Sequence, residues 1–92
     1  MDIEGNSTFE SIADTARRIS VTTQCIRNWS NQGDWTRPFK AGRTTRFKKS
    51  ENLLLAEAHA SGLTKSEIRA LVEHLHAERA ETAQKLREQI AA

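Results

Sequence analysis

Two short, well-capped helical segments split by a three-residue break, a basic run of strand formers around a glycine turn, and a long polar helix behind a complete capping box predict a mainly α fold with a small β-hairpin. In that arrangement the two short helices form a helix-turn-helix, the hairpin is its wing, and the long helix closes the chain: a winged helix-turn-helix fold. Ninety-two residues suffice for one small domain. The expected organisation is a flexible N-terminal arm over 1–8, the winged helix-turn-helix over 9–62, and a C-terminal helix over 63–92 that serves oligomerisation or partner docking.

The arm is polar and carries Gly5. Ser11 and Asp14 have capping-box spacing and start helix one, Ile12 to about Arg18, with Ile12, Ala13, Ala16 and Ile19 as its apolar stripe. A tight break at Ile19-Ser20-Val21 follows. Thr22 is the N-cap of helix two, Thr23 to about Gln32, and Gly33 ends it. Val21 and Ile26 occupy the two positions of a hydrophobic staple, and Ile26 and Trp29 form the helix's core face.

Trp35, Phe39 and Phe47 with Thr36, Thr44 and Thr45 favour strands near 36–40 and 44–47, joined at Ala41-Gly42-Arg43. Pro38 places the first strand at an edge. Ser50 is the expected cap of helix three, which runs to about Ser61 with Leu53, Leu54, Leu55 and Ala58 available for burial; Gly62 ends it. Thr64 and Glu67 make the strongest helix start in the chain, with Leu63 and Ile68 as the staple pair. Helix four shows Ile68, Leu71, Val72 and Leu75 on one face, after which the stripe thins to Ala80, Ala83, Leu86 and Ile90. So narrow a stripe needs a second surface. Ile68, Leu71, Val72, Leu75 and Leu86 are therefore the expected oligomerisation residues.

The charge is segregated. Residues 1–16 hold Asp2, Glu4, Glu10 and Asp14 and no Lys or Arg, whereas 17–49 hold nine Lys or Arg against the single Asp34; 50–92 hold seven Glu against five bases. A basic block interleaved with Trp29, Trp35, Phe39 and Phe47 is the electrostatic footprint of a surface that meets nucleic-acid phosphates. A solvated linker rarely carries so many aromatic residues.

Within that block, VTTQCIRNWSNQGDWTRPFKAGRTTRFKKSE (21–51) resembles the AlpA-type, excisionase-type and MerR-like winged helix-turn-helix regulators of phages and bacteria. The matching residues are Val21, Ile26-Arg27, Trp29, Gly33, Pro38, Gly42, Arg46-Phe47 and Ser50-Glu51, and upstream SIADTARRIS with Ile12 and Ala16. The chain departs from the pattern at Thr15, where the family usually has Leu, and at Ser20, where it usually has Gly. The resemblance covers residues 9 to about 60. It implies a regulator of phage or mobile-element origin or an excisionase-like recombination factor. Small terminase subunits of some phages look similar, a DNA-packaging alternative.

On helix two, Thr23, Gln24, Arg27 and Asn28, with Asn31 beside them, lie opposite the core face. Arg pairs with guanine and Gln or Asn with adenine in the major groove, so these are the base-contact candidates; Arg27 could equally hold a phosphate or a structural contact. The wing tip, Arg43, Thr44 and Thr45, would meet the minor groove. Lys40, Arg46, Lys48, Lys49 and the Thr22 hydroxyl would lie along phosphates, as would Arg17 and Arg18 unless they serve the helix dipole. Trp35, Phe39, Phe9 and Phe47 read as core.

The expected partner is double-stranded DNA, bound by a homodimer or cooperative homo-oligomer, with a possible partner protein at the C-terminal helix. A non-DNA helical adaptor is the remaining alternative. The lone Cys25 excludes an internal disulfide and fits a reducing cytoplasm. No apolar run suits a membrane span, Asp2 and Glu4 after Met1 do not suit a signal peptide, and His59, His74 and His76 lack metal-ligand spacing. No catalytic constellation, cofactor motif or metal motif is present, so no enzyme activity is expected.

Overall fold

The computed structural model describes residues 8–91; the rest of the expected arm, 1–7, lies outside them. The chain runs β1 (Phe9–Glu10), α1 (Ile12–Arg18), α2 (Thr23–Gln32), β2 (Phe39–Ala41), β3 (Thr44–Lys48), α3 (Lys49–Ala60) and α4 (Lys65–Ala91). It is mainly helical, with one three-stranded antiparallel sheet in the order β1-β3-β2.

Local chemistry accounts for most helix ends. Ser11 Oγ accepts the Asp14 N–H at 3.0 Å and Thr22 Oγ1 accepts the Cys25 N–H at 3.1 Å, so each side chain satisfies a donor that the first turn would leave unpaired. At α4 the box is reciprocal: Thr64 Oγ1 accepts the Glu67 N–H and Glu67 Oε1 accepts the Thr64 N–H, at 3.2 and 2.9 Å. Gly33 ends α2 with φ 87°, a left-handed cap that a residue with a Cβ adopts only at a cost. The break between α1 and α2 turns on Ser20, the one described non-glycine residue at positive φ, 57°. The Val21 N–H then returns to the Ala16 carbonyl at 3.0 Å and fixes the angle between the helices.

The elements depart from the sequence expectation in four places. First, β1 pairs Phe9 with Lys48 and Glu10 with Phe47, a strand too short to leave a sequence signal. Second, the strand expected over 36–40 begins only at Phe39. The Thr36 carbonyl accepts the Ser30 hydroxyl, both backbone groups of Arg37 are bonded by α4, and Pro38 has no N–H to give. Third, Ser50 does not cap α3. The helix follows β3 directly from Lys48, which makes no side-chain cap bond, and the Lys49 N–H donates to the Thr8 carbonyl at 2.8 Å. Fourth, Phe9 is 46% exposed rather than core and packs edge-on against Phe39 at 5.1 Å.

A single cluster of Ala16, Ile26, Trp35, Phe47, Leu55, Ile68, Val72 and Leu75 joins α1, α2, the sheet, α3 and α4. The oligomerisation reading of Ile68, Val72 and Leu75 is thereby corrected: these side chains are buried in the chain's own core, and Leu71 packs against it. The apolar half of α4 belongs with the body, and no packing boundary separates 62 from 63. The large apolar residues of the far half, Leu86 and Ile90, are both exposed. Leu53 and Leu54 are likewise exposed, while Leu55 and Ala58 are buried.

Under this cluster runs a polar one. Asn52 is fully buried; its Oδ1 accepts the Trp35 Nε1–H at 3.0 Å, and its Nδ2 donates to Glu10 Oε1 at 3.0 Å and to Thr15 Oγ1 at 2.9 Å. Glu10 also accepts two bonds from the Arg18 guanidinium, and Thr15 donates to the Ser11 carbonyl at 2.8 Å. Asn52→Leu keeps the branched shape but adds bulk, leaves the buried Trp35 Nε1–H without its acceptor and takes one donor each from Glu10 and Thr15, and should lower stability by about 3 kcal/mol in urea unfolding. Ser20→Gly relieves the left-handed backbone and should raise it by about 0.5–1 kcal/mol in the same experiment.

Candidate nucleic-acid interface

The outward face of α2 is set by its cap and its core contact. Ile26 is wholly buried and Trp29 is half-buried against the core, which turns Gln24, Arg27, Asn28 and Asn31 to solvent at i, i+3, i+4 and i+7. All four are exposed, and Thr23 lies half-buried at the edge of that face. Gln24 Nε2 donates to Asn28 Oδ1 at 2.9 Å, so the two amides stand as a pair beside Arg27. The Thr22 hydroxyl, engaged as an acceptor in the cap, keeps its own hydrogen to donate outward.

The hairpin pairs Phe39 with Arg46, Lys40 with Thr45 and Ala41 with Thr44 around a two-residue loop, Gly42-Arg43. Gly42 supplies the positive φ, 66°, that such loops require at their first position. Thr44 Oγ1 donates to the Ala41 carbonyl at 2.9 Å and closes the tip. Arg43, Thr44, Lys40 and Lys48 are exposed; Thr45 and Arg46 are half-buried, and Arg46 Nη1 donates to the Thr45 carbonyl at 2.9 Å.

The cations divide into two groups. Arg18 is bound to buried Glu10, and Lys49, half-buried, adds its charge to the same carboxylate. Burial alone would push the Glu10 carboxyl up, but the hydrogen bonds from Arg18 and Asn52 and the two positive charges bring it below its ordinary value. The same contact raises Arg18. Neither Arg18 nor Lys49 is thus a free phosphate ligand, which corrects that expectation. Arg17 pairs with Asp14 at 2.9 Å across an exposed surface, a contact easily exchanged. Hydrogen bonds from Ser11 and Arg17 lower the Asp14 carboxyl.

Arg79 binds Glu51 through three hydrogen bonds. Arg69 reaches Asp34 at 2.9 Å and Lys65 lies 4.0 Å from its other oxygen. Asp34, the single acid of the basic block, is therefore neutralised from α4. By contrast, among the described residues, no carboxylate lies within ion-pair distance of Arg27, Arg37, Lys40, Arg43, Arg46 or Lys48. These six cations sit on α2, on the hairpin and at its root.

Sequence reasoning missed the roles of Arg37, Asn52, Arg69 and Arg79. Their partners stand far along the chain, so no local spacing announces them. Trp29, His59 and Trp35 form an aromatic stack, with His59 4.7 Å from Trp29 and 5.5 Å from Trp35, which accounts for Trp35 as core. Among the described residues no His, Cys, Asp and Glu gather as a metal site, and no helix is long and apolar enough to cross a membrane. Cys25 is half-buried.

No protein-family model, curated protein or solved structure matches the chain.

The division of the cations has a measurable consequence. Arg79→Ala leaves a buried carboxylate alone and should lower the unfolding free energy by about 3 kcal/mol. Arg43→Ala should change it by less than about 0.5 kcal/mol. Chemical denaturation of the two variants decides between a structural and a free role for each arginine.

Proposed function

We propose that the protein binds double-stranded DNA sequence-specifically as a winged helix-turn-helix, and that it acts as a regulator or excisionase-like factor of phage or mobile-element type. The observation that carries this reading is the segregation of uncompensated positive charge. Carboxylates hold the cations of α1 and the core-packed half of α4, whereas Arg27, Lys40, Arg43, Arg46 and Lys48 on α2 and the hairpin have none among the described residues. A surface of unpaired guanidinium and ammonium groups is self-repelling in the free protein and is relieved by an anionic lattice.

On this reading the amide pair Gln24–Asn28 and Arg27 lie in the major groove. Arg43, on its two-residue loop, enters the minor groove with Thr44 and Thr45 beside it. Lys40, Arg46, Lys48, Thr22 and, after exchange of Asp14, Arg17 follow the phosphates. Arg37 joins them at the hairpin root. The neutralisation of Asp34 by α4 supports the same reading, since a bare carboxylate beside the C-terminus of α2 would repel the backbone.

Selection from a random duplex library at near-physiological salt should enrich a short motif; paired half-sites would be spaced about 10 or 20 bp for a two-fold dimer. With about five phosphates engaged, log K should fall with log salt with a slope of about −4 to −5. Arg43→Ala with Gln24→Ala should abolish the sequence preference. Duplex binding that is untouched by that pair of substitutions would sink the proposal, as would its absence.

A further inference from the structure

Arg37 is where the chain leaves the core to become the hairpin, and α4 holds its peptide groups from both sides. The Arg37 N–H donates to His76 Nε2 at 3.0 Å, and the Arg37 carbonyl accepts from Arg79 Nη1 at 2.7 Å. The two α4 residues are three apart and so share a face. Arg79 is itself locked onto Glu51 of α3, which gives the grip a rigid support. Pro38 follows with no N–H, and the ladder to β3 starts only at Phe39. The ladder to β1 holds the root on the β3 side, and on the β2 side two side chains of α4 hold it.

One of those bonds depends on a lone pair. His76 accepts through Nε2, which only the neutral imidazole can do; a proton there turns the acceptor into a second donor facing the Arg37 N–H. Arg37 from the hairpin root and Arg79 from α4 oppose that proton, and Glu51 from α3 and Glu73 from α4 favour it. Burial is the largest influence, and with the two arginines it holds His76 below its ordinary value of 6.5. A histidine depressed in the folded state contributes stability that is complete above 6.5 and is lost as pH falls towards its folded-state value. The loss thus falls in mild acid.

We propose that His76 and Arg79 are positioning residues for the hairpin cations, and that protonation of His76 releases the hairpin root from α4, so that mild acid weakens duplex binding. The functional half of this inference rests on the DNA-binding reading; the release is a property of the free protein.

The test uses the full-length chain in two measurements. In the first, the His76 imidazole and the protection of the Arg37 amide from hydrogen exchange are followed by NMR from pH 8 to pH 5 without DNA. The Arg37 protection factor should fall by about tenfold or more, with the midpoint of the His76 titration. In His76→Gln, whose amide carbonyl can accept the same bond without titrating, it should stay constant. An Arg37 amide that stays protected while His76 titrates overturns the release, and the wild-type titration alone decides the matter if His76→Gln fails to fold.

The second measurement compares affinity for a selected duplex at pH 8 and pH 5.5 at fixed salt. The wild type should lose about fivefold more than His76→Gln, with His59 and His74 common to both. Equal losses overturn the coupling to binding. No duplex binding at either pH overturns the DNA reading itself, and the amide measurement still decides the release.

Discussion

The buried amide of Asn52 is the constraint on which the rest of the structure depends. Both its Nδ2 hydrogens and its Oδ1 are used, and the three bonds run to three different parts of the chain: Trp35 before the hairpin, Glu10 on β1 and Thr15 on α1. In a low-dielectric interior an unmade bond of this kind costs more than a made one contributes, so the amide selects one packing against its alternatives. Glu10 sharpens the selection: a carboxylate that deep is tolerable only with Arg18 and Asn52 on it. Because α1 is held this way and α2 follows from α1 through the Ser20 turn, the outward direction of Gln24, Arg27 and Asn28 descends from a residue on α3.

Thr15 shows how the network sets the kind of side chain a buried position takes. Its hydroxyl accepts from Asn52 and donates to Ser11. Leucine would fill the space and leave an amide hydrogen unpaired. Ser20 has no such compensation. Its φ of 57° is the conformation glycine adopts freely, and no hydrogen bond of its side chain is seen among the described residues.

What was legible in the sequence is what is decided within a turn. Ser11, Thr22, Gly33, Thr64 and Glu67 act on backbone groups three or four residues away, and α1, α2 and the start of α4 fall where those residues put them. The exposed face of α2 was legible for the same reason, because Ile26 and Trp29 fix the helix's rotation. What was not legible is decided at long range. Ser50 has the chemistry of a cap, but α3 grows straight out of β3 and begins before it. Ile68, Val72 and Leu75 look like a seam for a second chain because the sequence does not reveal that Trp35, Phe47 and Leu55 already face them. Of the nine cations in the basic block, composition counts all alike; only the fold separates Arg18 and Lys49, gathered at Glu10, from the six left uncompensated among the described residues.

That separation explains why so small a domain carries so polar a fourth helix. A stripe of Ile68, Val72, Leu75, Arg79, Ala83, Leu86 and Ile90 follows one face of α4 for its whole length of about 40 Å, and only its first half meets the body. Propagation from that anchored half carries the helix onward, since each added residue gains a hydrogen bond without a new nucleus. The polar members of the anchored half do what apolar residues could not. Arg69 and Lys65 cancel Asp34, Arg79 settles Glu51, and His76 and Arg79 satisfy the peptide groups of Arg37 where no strand is present to do so. The hairpin's position is consequently a tertiary property: its turn is encoded by Gly42, but its first strand is held at the root from α4 and its second from β1. A substitution in that helix can therefore redirect the cations of the hairpin without touching any of them.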